Sequence, residues 1–200
     1  MKTFILATEN EHKYYEFNQI LKDTGIKLLS LKDLSLTIDV EENGDSYKEN
    51  AKIKAKFIYE KTKIPTIADD SGLEIEALDN FPGVKSSRFE EGKPYKTKNE
   101  IVLDMMKDKT NRNATFKCSL CVYGLSEEPL FFEGEFKGEI AQVATGKHGF
   151  GYDPIFYFPK LNKTAAMMND EEKNTYSHRA VAIHKFKEYL ESNLKVNEND

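Results

Sequence analysis

Several classes of protein are excluded by what these 200 residues do not contain. No run approaches the roughly 18 apolar residues that a membrane helix needs. The amino-terminal run Thr3-Phe4-Ile5-Leu6-Ala7 is too short for a signal-peptide core, and charge follows it at Glu9, Glu11 and Lys13. Together these predict a cytoplasmic protein with no membrane partner. Positive charge is not in excess: 29 Lys and Arg stand against 34 Asp and Glu, a formal net charge of -5, which predicts no nucleic-acid partner. A small anion in a local basic pocket remains compatible with that balance. Cysteine is nearly absent. Cys118 and Cys121 form a C-x-x-C, but inside an alternating run where an offset of three puts the thiols on opposite strand faces. With no second Cys/His pair at metal-ligand spacing, a zinc site is not expected. There is no P-loop pattern, no internal repeat and no long linker, so the expectation is one domain spanning residues 1-200.

What is present centres on Ile67-Ala68-Asp69-Asp70-Ser71-Gly72-Leu73-Glu74-Ile75. A short apolar strand runs into two adjacent carboxylates, a hydroxyl and a glycine before alternation resumes. Adjacent carboxylates repel, and glycine weakens a strand unless a bend or a close backbone approach needs it. The pattern therefore predicts a break between two strands. Two carboxylates at a strand mouth suit a hard cation such as Mg²⁺; a plain polar turn would use the same residues.

Residues 2-7 are apolar enough for a buried first strand, and Tyr14, Phe17, Ile20 and Leu21 repeat at helical spacing up to Gly25. The polar segment from Thr8 to Lys13 lies between them. A strand, polar loop and helix in this order can offer backbone N–H groups and a helix N-terminus to phosphate, with Lys13 as an added cation. An ordinary connection would look the same. Ser46 to Glu49 reads as a capping box opening a helix, on which Lys54 falls cleanly on neither the buried nor the exposed face. Thr97 to Glu100 reads as another, opening a helix through Met106. Three strand-like runs follow at 114-123, 130-136 and 139-143, consistent with an antiparallel meander. Gly149-Phe150-Gly151-Tyr152-Asp153-Pro154 interleaves glycine with aromatic rings, which suits either a flat ligand or a glycine-rich hairpin loop. Ile155 to Phe158 reads as a strand. Ser177 is a fitting N-cap for a last helix that carries His178 and Arg179 in its first turn, where the macrodipole disfavours cations and an anion or acceptor would be welcome. Residues 194-200 read as a fraying polar tail.

Taken together, six stretches resemble the inosine triphosphatase family, the pyrophosphatases for noncanonical purine nucleotides, in its dITP/XTP form. They are Leu6-Ala7-Thr8-x-Asn10-x-x-Lys13, Glu49-Asn50-Ala51-x-x-Lys54-Ala55, Ala68-Asp69-Asp70-Ser71-Gly72-Leu73, Pro82-Gly83-Val84-x-Ser86-x-Arg88, Gly149-Phe150-Gly151-Tyr152-Asp153-Pro154 and Glu172-Lys173-x-x-x-x-Ser177-His178-Arg179. The resemblance covers nearly the whole chain. Glu9 and His12 depart from it, standing where the family commonly has glycine, as do Lys85 and Phe89, where it usually has tyrosine.

The resemblance implies a mixed-sheet α/β fold with two lobes and the site in the cleft between them, usually as a homodimer. It implies hydrolysis of ITP, dITP or XTP at the α-phosphorus, giving the monophosphate and pyrophosphate. By the same resemblance Thr8, Asn10 and Lys13 hold phosphate oxygens, Glu9, Glu11 and His12 of the same loop are counted among the substrate contacts, Lys54 neutralises developing charge, and Asp70 is the general base with Asp69 in support. Mg²⁺ would be held by Asp70 and by Glu41 or Glu42, with the motif's alignment selecting Glu41. Ser71, Gly151, Tyr152 and Asp153 complete the substrate contacts, Phe150 stacks on the purine, and Lys173, His178 and Arg179 offer donors to its edge. Two other readings fit the same residues: a pyrophosphatase with another base preference, and a nucleotide sensor without turnover.

Overall fold

The computed structural model describes residues 2-194, so the tail from residue 195 onward lies outside the described residues. In chain order the elements are β1 (Thr3–Leu6), α1 (Glu11–Leu21), β2 (Lys27–Ser30), α2 (Tyr47–Thr62), β3 (Thr66–Ile75), β4 (Phe81–Pro82), α3 (Tyr95–Met105), β5 (Asn113–Tyr123), β6 (Leu130–Ile140), β7 (Phe156–Phe158), β8 (Lys163–Thr164), α4 (Asp170–Tyr176) and α5 (His178–Leu194). The strands are ordered β2-β1-β3-β5-β6-β7-β8, with β4 paired on β3. Pairing is parallel for β1 with β2 and β3, and antiparallel for β3 with β4, β6 with β7 and β7 with β8, so the sheet is mixed. No helix of the described residues is long and apolar enough to cross a membrane.

The chain divides into two units. The first holds the residues up to Asp70, Cys118–Gly134 and those from Arg179 on; the second holds Ser71–Lys117 and Glu135–His178. In the first unit β1 is buried on both faces, as a parallel strand covered by helices must be. Its alternation sends Phe4 and Leu6 to one cluster, with Phe17, Leu21, Ile67, Ile183 and Phe186, and Ile5 and Ala7 to another, with Ala51, Ala55, Ile58 and Ala68. The same period of two separates Cys118 from Cys121 on β5, and both are free and buried. The second unit has one core, built on Leu73, Ile75, Val102, Met106, Phe116, Phe136 and Phe156.

Four boundaries differ from the sequence expectation. β3 is one ten-residue strand running straight through Asp69-Asp70-Ser71-Gly72, not two strands around a break. The carboxylates are tolerated because each meets cations or donors on its own side, which replaces mutual repulsion with pairing. Likewise β6 is continuous over 130-140, where two runs were expected, and Val143 lies outside it. The helix expected to open at Thr97 starts at Tyr95, behind Pro94 at φ -65°, with no side-chain cap; Pro94 leaves open no earlier amide that the helix would need. Ile155 belongs to the 3-10 turn Asp153–Ile155 that precedes β7. Residues 170-176 form a helix of their own, closed by a capping box between Asn169 and Glu172, and Ser177 sits extended directly before α5.

Candidate active site

Strand periodicity builds the site in the first unit. Ile67 faces the cluster shared with α1 and α5, and Ala68 the cluster shared with α2. Two residues further on, Asp69 and Asp70 inherit those opposite directions.

Asp69 is 1% exposed and almost wholly ion-paired. Lys13 Nζ lies 3.1 Å from its Oδ1 and 3.0 Å from its Oδ2, and Arg179 Nε donates to Oδ2 at 3.0 Å. Cys118 Sγ lies 3.9 Å from the same oxygen. Arg179, 2% exposed, also donates through Nη1 to Glu16 Oε2 at 2.7 Å. Burial alone would push the Asp69 carboxyl up, but Lys13, Arg179 and Lys54 outweigh it and hold it far below the carboxylate range. For Arg179, burial acts downward, and Glu16 and Asp69 reverse it to a raised proton affinity. Glu16 and Lys13 are three residues apart on α1, so they share a helix face.

Asp70 has a different shell. Asn50 Nδ2 donates to its Oδ2 at 3.2 Å, and Lys54 Nζ lies 3.8 Å from Oδ1 and 3.0 Å from Glu42 Oε2. Asn50 and Lys54 are one turn apart on α2, while Asn50 Oδ1 accepts from Gly44 N at 2.8 Å, which ties the acidic loop to the strand. Burial is the largest influence on Asp70 and leaves its carboxyl raised despite Lys54 and Lys13. Burial acts downward on Lys54, and Asp70, Asp69 and Glu42 more than offset it. The two neighbouring carboxyls are thus driven in opposite directions.

The loop after β1 satisfies itself. Thr8 Oγ1 accepts from Asn10 N, and Asn10 Oδ1 accepts from His12 N at 2.9 Å and Lys13 N at 3.3 Å, so Asn10 is the cap of α1. The amides expected to await phosphate are therefore engaged by Asn10. Glu9, exposed, accepts from Ile38 N at 3.1 Å, and exposed Glu11 pairs with Lys32. His12 is exposed, and so is Glu41; Glu42, not Glu41, is the acidic-loop residue paired with Lys54.

In the second unit Asp153 organises the glycine-rich segment. Its Oδ2 accepts from Phe150 N at 2.9 Å and from Lys173 Nζ at 2.7 Å, and Lys173 stands 5.5 Å from the centre of the half-buried Phe150 ring. Gly149, at φ +73°, is required here because a Cβ would run into the Asp153 carboxylate. Tyr152 is buried with its hydroxyl donating to Ser86 O at 2.8 Å. His178 stacks on Phe116 with centroids 4.8 Å apart and planes at 12°. Ser71 opens this unit's share of β3. Of the residues singled out in the sequence, the structure groups Lys13, Asp69 and Arg179, then Lys54 and Asp70, then Phe150, Asp153 and Lys173.

Comparison with known proteins decides the relationship: the Ham1 family matches residues 4–189. This chain belongs to the Ham1 family. It is 44% identical over 198 residues to a dITP/XTP pyrophosphatase of Dictyoglomus thermophilum, covering 97% of both chains, and 42% identical to one of Aquifex aeolicus, covering 94% of this chain and 96% of that one. Its fold is similar to the Ham1 protein structures of Coxiella burnetii, with TM-score 0.88, 38% identity and coverage of 96% and 100%, and of Staphylococcus aureus, with TM-score 0.86, 38% identity and coverage of 96% and 99%.

No three His, Cys, Asp or Glu side chains of the described residues converge as a closed metal cage. An open magnesium site needs less, since that ion takes one or two carboxylates and completes its shell with water and substrate phosphate. Asp70 and Glu42 already share one cation, the ammonium of Lys54, which is the donor set such a site requires. Three side chains of these networks have no role that the sequence assigns: Glu16, Asn50 and Cys118. Asn50 stood inside a quoted motif, and its place on the buried side of α2 was the available signal; Glu16 and Cys118 had none, since only the tertiary fold brings them to Arg179 and Asp69.

Proposed function

We propose that this Ham1-family chain hydrolyses ITP, dITP and XTP at the α-phosphorus, releasing the nucleoside monophosphate and pyrophosphate, with Mg²⁺ as cofactor. The observation that carries the reading is the split carboxylate pair, one locked by Lys13 and Arg179 and the other left between Asn50 and Lys54 with a carboxylate across the ammonium. Relatives named dITP/XTP pyrophosphatase at 44% and 42% identity over nearly the whole chain support the same chemistry.

In this reading Asp70 takes the proton of the attacking water, and Lys54 neutralises charge that builds on the phosphate oxygens. Lys13 holds a phosphate oxygen, its position set by Asp69, while Thr8 and Asn10 shape the loop that carries it. Asp70 with Glu42 or Glu41 would hold Mg²⁺, which when bound polarises the phosphate and lowers the cost of its negative charge. Phe150 stacks on the base, and Lys173 and His178 present donors that suit a 6-oxo purine; adenine, with an amino group there, would leave them unpaired. The reading includes a cytoplasmic homodimer acting on free nucleotides, with no nucleic acid or membrane partner. The net charge of -5 supports the absence of a nucleic-acid partner.

One assay tests it: pyrophosphate release from dITP, XTP, ITP, ATP and dTTP, with and without EDTA, in ¹⁸O-water. The expected result is turnover of the first three well ahead of ATP and dTTP, abolished by EDTA, with the label in the monophosphate. Release of orthophosphate, or label in the pyrophosphate, would refute attack at the α-phosphorus.

A further inference from the structure

Helix α3 contributes nothing to the motifs above, yet it buries two polar side chains whose presence needs a reason. Lys98 and Asn99 are each 4% exposed, on the helix whose Val102 and following Met106 enter the apolar core. Lys98 Nζ donates to Ser87 O at 3.0 Å and lies 4.8 Å from the centre of the Tyr95 ring, so its partners are a carbonyl and a π face. Asn99 Nδ2 donates to Gly151 O at 3.2 Å, while Asn99 Oδ1 is buried with no hydrogen-bond partner among the described residues. An apolar side chain would be cheaper at either position than a buried ammonium or a half-satisfied amide.

Both donors end on loops that meet at Tyr152. Gly151 sits between Phe150 and Tyr152; Tyr152 donates to Ser86 O, next to the Ser87 carbonyl that Lys98 holds, and Tyr95 packs edge-on against Tyr152 at 5.3 Å and 88°. Packing alone does not fix the Phe150 segment. A cavity of about 370 Å³ lies between it and α3, lined among others by Tyr95, Asn99, Lys147 and Phe150. Gly146, Gly149 and Gly151 all have positive φ, which glycine adopts freely, so they bring little stiffness of their own. Where close packing is missing, directed hydrogen bonds must set the conformation.

We infer that Lys98 and Asn99 form a brace that sets the position of the Phe150 ring, making Asn99 a positioning residue for base recognition. The inference rests on the reading of Phe150 as the ring that stacks on the base. It does not require Asn99 to touch substrate.

Asn99→Asp tests it, since it keeps the shape, removes the donor and opposes a carboxylate to the Gly151 carbonyl. The expected outcome is a rise in KM for dITP of about fivefold to tenfold, the worth of one hydrogen bond. kcat should stay within about twofold, because remote binding is lost without a change at the reacting atoms. Inhibition by inorganic tripolyphosphate, which has no base, should not move. Hydrogen exchange read by mass spectrometry should quicken in the peptide 146-153 and stay unchanged in peptide 3-7. Lys98→Met should shift the same readouts in the same direction, and Asn99→Gln should restore part of the KM. Asn99→Ala provides the same readouts should Asn99→Asp not fold. Wild-type KM and wild-type exchange, or an equal loss of tripolyphosphate affinity, would overturn the brace. Failure of the wild type to cleave dITP would sink the proposed function and with it the part in base recognition, while exchange in peptide 146-153 would still decide whether Lys98 and Asn99 brace the Phe150 segment.

Discussion

Asp69 and Asp70 are the same residue on consecutive positions of one strand, and they live under opposite rules. Asp69 faces Lys13 and Arg179 from α1 and α5, and both hold it ionised. Asp70 faces α2, where burial outweighs Lys54 and its proton affinity is raised. A strand turns adjacent side chains to opposite faces, so the doublet never behaves as a pair. The difference shows why a carboxylate doublet is a poor guide to mechanism until its faces are known: one acid is an anchor and the other is available.

The largest expected effect breaks the anchor. Asp69→Asn removes the charge that compensates a buried guanidinium and ammonium, and loss of one partner of a buried pair costs about 3–5 kcal/mol. At roughly 2–4 °C per kcal/mol for a chain of this size, calorimetry at pH 7 should find Tm lowered by about 10 °C. The sign of its pH dependence follows from the depressed folded proton affinity. The stability that Asp69 contributes is present above the ordinary carboxylate value, about 4, and is lost as pH falls toward its folded value. The gap between wild type and variant should therefore hold from pH 7 to about 5 and narrow as pH falls further toward about 3. A gap that stayed constant would mean that the ion pairs do not stabilise the fold.

The next effect tests the available carboxyl. Asp70→Asn should lower kcat/KM for dITP by about 10² or more while leaving the fold intact. Its folded proton affinity is raised, so ionised Asp70 is a cost to stability that grows as pH rises through that raised value. In EDTA-treated protein, Asp70→Asn should therefore match or exceed the wild-type Tm at pH 7, and the excess should vanish below about pH 4. A variant both active and less stable would erase the distinction between the two acids.

The smallest effect sharpens the anchor's composition. Cys118 approaches Asp69 Oδ2 at only 3.9 Å, a weak contact beside two cations. Cys118→Ala should cost roughly 1 kcal/mol, an ordinary core loss, with kcat within about twofold of wild type. A stability loss as large as that of Asp69→Asn would give the thiol a part in holding the carboxylate that the geometry does not support.

What the residues determined by themselves was local and periodic. The apolar alternation of β1, the helical spacing of Phe17, Ile20 and Leu21, the Ser46 cap and the opposite faces of Cys118 and Cys121 all follow from periods of two and 3.6, which need no tertiary information. The motifs around Asp69-Asp70 and Phe150 were equally legible, because glycine and paired acids are out of place in plain strands. The tertiary structure decided the rest. Sequence could not see that β3 continues through its acids, because the cations that permit this come from residues 13, 54 and 179, far away along the chain. Nor could it choose Glu42 as the partner of Lys54, or bring Glu16 to Arg179, since a local pattern carries no information about which distant charge arrives to compensate a buried one.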